Sequence, residues 1–191
     1  MPEPTRLTTG RLTLRLFQAS DAPAVQLLAG DRSIADTTLN IPHPYLDGMA
    51  ERWIDSHEGL WREDRSAIFA VERREDSRLV GATGLTLNPV HERAELGYWI
   101  GRPFWGCGYG TEAARAVVAF GFRTLGLSRI HASYLTRNPA SGRIMEKIGM
   151  RPEGILRRHV RKWDLFEDLA VYGILREEFE YTGGMAGSKD A

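Results

Sequence analysis

Cysteine is almost missing from this chain. The single copy, Cys107, excludes an internal disulfide and a metal site built from several cysteines. No apolar run reaches the roughly 18 residues of a membrane-spanning helix, and segment 1–6 lacks the apolar core of a secretory signal. From these absences we expect a cytoplasmic protein that does not contact a membrane.

An excess of charge is also missing. Lys and Arg total 25, Asp and Glu total 25, and the formal net charge is zero. A protein that binds nucleic acid usually has a basic excess, so we expect no nucleic-acid partner. The histidines lack the spacing of metal ligands, and no metal site is expected. The length is typical of one domain, predicted over residues 1–182, followed by a loose tail at 183–191.

Glycine, in contrast, is concentrated at one informative place, the run Trp105-Gly106-Cys107-Gly108-Tyr109-Gly110-Thr111. The run follows a strand-like segment, 95–100, and leads into a helix-like segment, 113–125. Glycine tolerates backbone angles that other residues resist, and it lets a ligand approach the main chain. Unpaired N–H groups and the dipole at a helix start attract anions. The run therefore predicts a site for a phosphate or pyrophosphate, with a purely structural turn as the alternative.

Two common phosphate motifs do not match this run. A nucleotide-hydrolase P-loop has Lys-Ser or Lys-Thr after its last glycine, and no lysine follows Gly108 or Gly110. A dinucleotide fingerprint has the spacing G-x-G-x-x-G near the first strand, whereas this run is G-x-G-x-G and lies past mid-chain. Both motifs are therefore disfavoured.

Hydrophobic periodicity predicts an α/β domain with a mixed sheet. Residues 31–47, which include Asn40, Pro42 and Pro44, are expected to form a loop or a broken helix. The predicted strands are 11–16, 67–71, 79–87, 94–100, 130–135, 150–160 and 169–174, and the predicted helices are 20–29, 50–62, 113–125 and 138–148.

The glycine run resembles the acetyl-CoA pyrophosphate loop of the GCN5-related N-acetyltransferases (GNAT), whose pattern is Gln/Arg-x-x-Gly-x-Gly/Ala. Gly108 and Gly110 match the glycines, and Trp105 stands in the Gln/Arg place. Segment 137–154 resembles the family's second CoA-contact segment, and the likeness, which is greatest to the RimJ/RimL branch, runs from about Thr8 to Phe179. The resemblance implies a GNAT fold, with a mixed central sheet that splays between its fourth and fifth strands and is flanked by helices.

The resemblance also implies that acetyl-CoA binds as co-substrate. Backbone around Trp99 and Ile100 would pair with pantetheine, which Asn138 and Ser141 would also contact, and Arg143 would meet the adenosine-phosphate end. Asn138 has a simpler alternative role as a helix N-cap. The amides expected to bind the pyrophosphate are those of Gly106, Cys107, Gly108, Tyr109, Gly110 and Thr111.

Catalysis needs a base, because a protonated amine has no lone pair with which to attack a thioester. Glu95 resembles, by place, the strand glutamate that serves as base in the histone-acetyltransferase branch, and burial in the cleft would activate it. An exposed or salt-bridged glutamate is the alternative. His159, in a basic cluster, is a second candidate. Many relatives use a helix tyrosine as general acid, but Met145 occupies that place here. Some RimL-like relatives use a serine instead, which makes Ser141 the candidate acid.

The predicted activity is therefore transfer of acetyl from acetyl-CoA to a primary amine by direct attack in a ternary complex. The acceptor is either a protein N-terminus, such as that of a ribosomal protein, or a small-molecule amine. Segment 31–62 would build its pocket, with Trp53 and Trp61 as candidate lining residues. The alternatives are an acetyltransferase that detoxifies an antibiotic or polyamine and a catalytically silent acyl-CoA-binding module. The sequence does not reveal the oligomeric state, and because dimers are frequent among relatives, the resemblance leaves a homodimer open.

Overall fold

The fold is a mixed eight-stranded sheet flanked by helices, seen in a computed structural model that describes residues 6–179. The spatial order of the strands is β1-β2-β3-β4-β5-β6-β8-β7. The strands are β1 (Leu7–Thr8), β2 (Leu12–Arg15), β3 (Ser66–Arg73), β4 (Leu79–Asn88), β5 (Arg93–Ile100), β6 (Arg129–Leu135), β7 (Arg151–Lys162) and β8 (Leu165–Leu175). The helices are α1 (Ala22–Ala29), α2 (Arg32–Thr37), α3 (Met49–Arg62), α4 (Tyr109–Arg123) and α5 (Pro139–Lys147).

The α/β prediction with a mixed sheet is confirmed, and the differences are local. The segment expected to be a loop or broken helix begins with α2, whose N-cap Asp31 accepts a hydrogen bond from the Ser33 N–H at 2.8 Å. Helix α4 begins at Tyr109, four residues before the predicted start at Ala113, so the last two residues of the G-x-G-x-G run are helical. The predicted tail at 183–191 lies outside the described residues.

The predicted splay of the sheet is present. The predicted fourth and fifth strands, 94–100 and 130–135, are β5 and β6 here, because the short β1 precedes them. These strands pair in parallel only where residues 93–95 meet 129–131. Beyond Glu95 the two strands part, while β5 stays paired with β4 up to Ile100 and β6 stays paired with β8 up to Leu135. Each strand is therefore held on its outer side, and this support keeps the gap open.

The sheet buries apolar side chains on both faces, and the alternation of β5 assigns its residues to one face or the other. Leu96 packs into the core beneath α4 and α5, whereas Trp99 packs into the core beneath α1, α2 and α3. Helix α4 contributes Ala113, Ala114, Val117, Val118, Phe120 and Phe122 to the first core. The second core includes Val25, Ile34 and Ile54 from the other helices.

One histidine, His57, lies on α3, one of the helices that cover the second core. Its ring packs edge-on against Trp53 and Phe17, with ring centroids 4.4 and 5.4 Å away. Neither ring nitrogen has a hydrogen-bond partner among residues 6–179. Burial lowers the pKa of His57 from 6.5 to about 4, because the imidazolium loses its hydration there.

We predict that His57 makes the fold acid-sensitive. Between pH 6.5 and about 4 the unfolded chain binds the His57 proton and the folded chain does not, so the free energy of unfolding falls as the pH drops through this window. His57→Phe should remove up to about 2 kcal/mol of the loss between pH 7 and 5, measured by urea unfolding. His91→Gln, at an exposed histidine, is the control. Equal pH slopes for wild type and His57→Phe would contradict the assignment.

Candidate active site

A cavity of about 580 Å³ opens where β5 and β6 part. Its floor is made by residues 82–86 of β4, 95–99 of β5 and 133–135 of β6. Helix α5 adds Ser141 and Met145, and the opposite wall consists of residues from α1, segment 37–42 and α3. The cavity thus joins the gap in the sheet to the segment expected to build the acceptor pocket.

The glycine run lies at the start of α4 as a left-handed turn. Gly106 and Gly108 have φ angles of +76° and +80°, which L-residues with a side chain adopt only with strain. The first backbone hydrogen bond of α4 runs from the Glu112 N–H to the Gly108 carbonyl at 3.1 Å. The N–H groups of residues 109–111 therefore have no acceptor within the helix and point out of its positive end. This is the geometry of an anion site.

Side chains from outside the run hold it in place. The Arg11 Nη1 donates to the Cys107 carbonyl at 2.9 Å, and its Nε donates to Glu112 at 2.7 Å. Thr9 Oγ1 donates to the same carboxylate at 2.6 Å. Burial alone would raise the pKa of Glu112, but the hydrogen bonds from Thr9 and Arg11 outweigh it and hold the pKa below its usual value. The carboxylate thus stays ionised and fixes the turn.

Trp105, which departs from the family pattern, has a visible structural role. Its indole Nε1 donates to the Ile100 carbonyl at 2.6 Å and so ties the loop to the end of β5. Cys107 is exposed, and its Sγ contacts only the Trp105 carbonyl, at 3.6 Å, among the hydrogen-bonding groups of residues 6–179. The cysteine side chain therefore adds no visible constraint, and its backbone carries the contact to Arg11.

The register of β5 determines which backbone groups face the gap. Gly101 N–H donates to the Val80 carbonyl at 2.8 Å, so the odd-numbered residues of β5 exchange hydrogen bonds with β4. The main-chain groups of Tyr98 and Ile100 consequently point toward β6, where the strand has parted. The backbone of Trp99 pairs with β4, and its side chain lines the cavity. The geometry therefore favours Tyr98 and Ile100 as the backbone partners of an extended ligand.

Ser141 has a hydroxyl neighbour that sequence reasoning missed. The Tyr98 hydroxyl lies 2.8 Å from Ser141 Oγ and donates to the Ser141 carbonyl at 3.0 Å. Burial raises the pKa of Tyr98 to about 12, so the phenol stays protonated at neutral pH. Alternation along β5 places Tyr98 on the face toward α5, and this alternation is the sequence signal that could have predicted its contact with Ser141. Met145, in the usual place of the acid, is buried and lines the cavity.

Glu95 lies in the cavity, on the same strand as Tyr98. It accepts a hydrogen bond from Ser133 Oγ at 3.2 Å, across the point where β5 and β6 begin to part. Glu95 is an exposed residue, so of the two alternatives the exposed one holds. It is the last residue of β5 that pairs with β6, and the gap opens directly beyond it.

Other candidates are placed away from the cavity. His159 lies exposed on β7, in a shallow groove with Arg157 and Asp168, so the structure does not bring this second base candidate to the site. Arg143 is exposed on α5. Trp61 is not a lining residue: it stacks on Phe120 in the core, with ring centroids 6.3 Å apart.

Two predicted side chains lie at the cavity or beside it. Trp53 lines the cavity as expected. Asn138 occupies the N-cap position of α5, but its side chain does not cap the helix. Its Nδ2 instead donates to the Thr37 carbonyl at 3.3 Å and so links α5 to the end of α2. The N-cap alternative for the Asn138 side chain is therefore wrong.

Within residues 6–179, no cluster of three or more His, Cys, Asp or Glu side chains has the arrangement of a metal site. Over the same part of the chain, no helix has the length and apolarity to cross a membrane.

Comparison with known proteins identifies the family. The chain matches the acetyltransferase (GNAT) domain family over residues 11–151. It belongs to the GNAT family. The chain is 33% identical over 171 residues to the uncharacterized N-acetyltransferase YoaA of Bacillus subtilis, covering 89% of this chain and 96% of YoaA. It is 32% identical over 174 residues to the putative ribosomal N-acetyltransferase YdaF of the same organism, covering 88% and 93%.

A solved GNAT acetyltransferase from Bacillus anthracis has the same fold, with a TM-score of 0.80 and 26% identity. The match covers 91% of this chain and 99% of that one. The protein is thus an N-acetyltransferase that uses acetyl-CoA. Its residues fit this co-substrate: the outward amides of α4 suit a pyrophosphate, and the freed edge of β5 suits an arm that carries amides.

We predict that the positive φ of Gly108 is needed for coenzyme A binding. Gly108→Ala adds a Cβ to a residue at φ +80°, a strain of about 1–2 kcal/mol that shifts the outward amides. The dissociation constant for coenzyme A, measured by calorimetric titration, should rise about tenfold. Gly59→Ala is the matched control, because a Cβ there meets nothing within 4 Å. An unchanged constant for Gly108→Ala would remove the turn from the binding site.

Proposed function

We propose that the protein acetylates a primary amine that carries one positive charge, by direct attack of the amine on acetyl-CoA in a ternary complex. The observation that carries this proposal is that Glu95 and Ser141 line one cavity, at the opened edge of β5. A base and an acid at one cavity are what acyl transfer to an amine requires. A silent binding module has no need for either.

Acetyl-CoA supplies an electrophilic thioester carbonyl and a thiolate leaving group. The amides of residues 106–111 hold its pyrophosphate, as the outward N–H groups of α4 suggest. Its pantetheine arm extends along the gap, paired with Tyr98 and with the N–H of Ile100. The Ile100 carbonyl is already engaged by Trp105. Asn138 and Ser141 stand beside that arm, and the exposed Arg143 meets the adenosine-phosphate end.

Glu95 acts as the base toward the amine. An amine enters mostly as an ammonium ion and must lose a proton before it attacks. The Glu95 carboxylate receives this proton, directly or through one water, while Ser133 holds it in orientation. Because Glu95 is exposed, this proton passes on to solvent without a further relay, and the freed carboxylate receives the second proton that the nitrogen loses once the C–N bond has formed.

Ser141 acts as the acid toward sulfur, aligned by Tyr98. As the C–N bond forms and the C–S bond breaks, the Ser141 hydroxyl gives its proton to the departing thiolate. The Tyr98 hydroxyl turns its proton from the Ser141 carbonyl to Ser141 Oγ, 2.8 Å away, returns that proton to the serine and is reprotonated from solvent. Because the pKa of Tyr98 is about 12, its phenol carries this proton at neutral pH.

The lining of the cavity favours an acceptor with one charge and an apolar neighbour. Among the described residues that line it, Glu95 is the one carboxylate, so a second cationic group of a polyamine would find no partner. The opposite wall is uncharged: it combines the apolar and aromatic residues Ile41, Pro42, Tyr45, Met49 and Trp53 with the polar residues Thr37, Thr38 and Asn40. We infer that the acceptor is a protein N-terminus, as the name of YdaF suggests for that relative. A small apolar monoamine, as in antibiotic detoxification, is the second candidate.

A panel of amines tests the proposal and the role of Glu95 together. Thiol release from acetyl-CoA is measured with N-terminal peptides, apolar monoamines and spermidine, and we expect turnover with the first two classes in preference to spermidine. Glu95→Gln should lower kcat/KM roughly 100-fold with the affinity for coenzyme A unchanged. The exposed Glu75→Gln is the control. Binding of coenzyme A without turnover of any amine would favour the silent module.

A double-mutant cycle tests the pairing of Ser141 with Tyr98. Ser141→Ala and Tyr98→Phe should each lower kcat about tenfold or more, since each removes one hydroxyl and keeps most of the packing. If the two hydroxyls act as one unit, the double variant is hardly slower than Ser141→Ala alone. Rate losses that simply multiply would mean that the two groups act independently.

A further inference from the structure

Segment 37–42, the outer wall of the cavity, has little regular structure of its own. Helix α2 ends at Thr37, and no strand or helix follows until α3 begins at Met49. All six residues of the segment line the cavity. An irregular segment in such a place keeps its shape only if other parts of the chain hold it.

Lys162, at the end of β7, reaches this wall. Its Nζ donates to the Leu39 carbonyl at 3.2 Å and to the Ile41 carbonyl at 3.3 Å. More than 120 positions along the chain separate the lysine from these partners. One ammonium therefore bridges two alternate carbonyls of the wall and fixes the backbone between them.

The lysine is buried, with only 7% of its surface exposed. Burial lowers the pKa of Lys162, and the charge of Arg137 adds to this effect, while Asp36 opposes it. A buried ammonium is costly unless its donors are satisfied, and an apolar residue would fill the same space more cheaply. The placement of a lysine here is explained by its two carbonyl partners and by the Trp163 ring, whose centroid lies 5.4 Å from Nζ.

Two side chains of the β6–α5 connection hold the end of α2, next to this wall. Arg137 pairs with Asp36 at 3.2 Å and is itself held by Glu167 of β8 at 2.8 Å. Asn138 donates to the Thr37 carbonyl at 3.3 Å. Residues from the β6–α5 connection and from β7 thus converge on the end of α2 and the segment that follows it. Among the described residues of this group, Lys162 is the one that holds the middle of the wall.

We propose that Lys162 is a positioning residue for the amine acceptor: by bridging the carbonyls of Leu39 and Ile41, it fixes the wall of the cavity that faces the parted strands. This role rests on the proposed function, because it takes the cavity to be the acceptor site. Lys162 touches neither the reacting atoms nor the glycine run, so it sets acceptor binding and leaves the binding of acetyl-CoA alone.

The test compares Lys162→Met with Arg161→Met. Methionine keeps much of the length of lysine without its donors, and Arg161 is an exposed neighbour that pairs only with Asp164 at the hairpin tip among residues 6–179. With the best amine of the panel, Lys162→Met should raise the KM for the amine about fivefold or more, with the KM for acetyl-CoA unchanged. Lys162→Arg, which retains donors, should restore part of the loss. Amine KM values equal to those of Arg161→Met would overturn the proposal.

Hydrogen exchange measured by mass spectrometry supplies a readout that needs no turnover. In Lys162→Met, peptides that cover residues 37–42 should exchange faster, and those that cover α4 should not change. Faster exchange without any amine turnover would support the role of Lys162 in holding segment 37–42 and reject the proposed function. Unchanged exchange at 37–42 would reject that role of Lys162. Should Lys162→Met fail to fold, Lys162→Gln, whose shorter amide cannot reach both carbonyls, undergoes the same comparison.

Discussion

The separation of β5 from β6 is the constraint on which the site depends. Buried backbone donors and acceptors are normally paired, and an unpaired strand edge readily takes up an extended partner. Here the two strands share a ladder only at residues 93–95 and 129–131, and each is held apart by its other neighbour, β4 or β8. The cavity, the freed groups of Tyr98 and Ile100 and the position of Glu95 all follow from this short pairing.

In the proposed function, binding of the co-substrate and selection of the acceptor use different kinds of group. The features that suit acetyl-CoA are mostly main-chain amides, at the start of α4 and along β5, and main-chain binding tolerates varied side chains. This explains why Trp105 departs from the family pattern without disturbing the turn: its indole ties the loop to Ile100, and the Cys107 carbonyl accepts from Arg11. The proposed acceptor side, in contrast, is built from side chains and the irregular segment 37–42.

Local signals in the sequence predicted much of the fold. The turn at the glycine run, the helix that follows it and the splay are confirmed, because each depends on nearby residues or on a family pattern, whereas the roles of single residues in binding and catalysis stay predictions. The sequence left open whether Glu95 is buried or exposed, because this depends on how far β6 diverges. Tyr98 was missed because its partner Ser141 lies 43 positions away. The contact of Lys162 with segment 37–42 spans a still greater sequence separation, and no periodicity in either segment indicates it.

The central claim, that acetyl-CoA is bound by the start of α4 and the freed edge of β5, is most directly tested by titrating the labelled protein with coenzyme A while its amide NMR signals are followed. The account predicts large shifts for residues 109–111 and for Tyr98 and Ile100, with small shifts for the outer strands β1 and β2. Saturable binding that leaves the amides of β5 and of the first turn of α4 unmoved would contradict it.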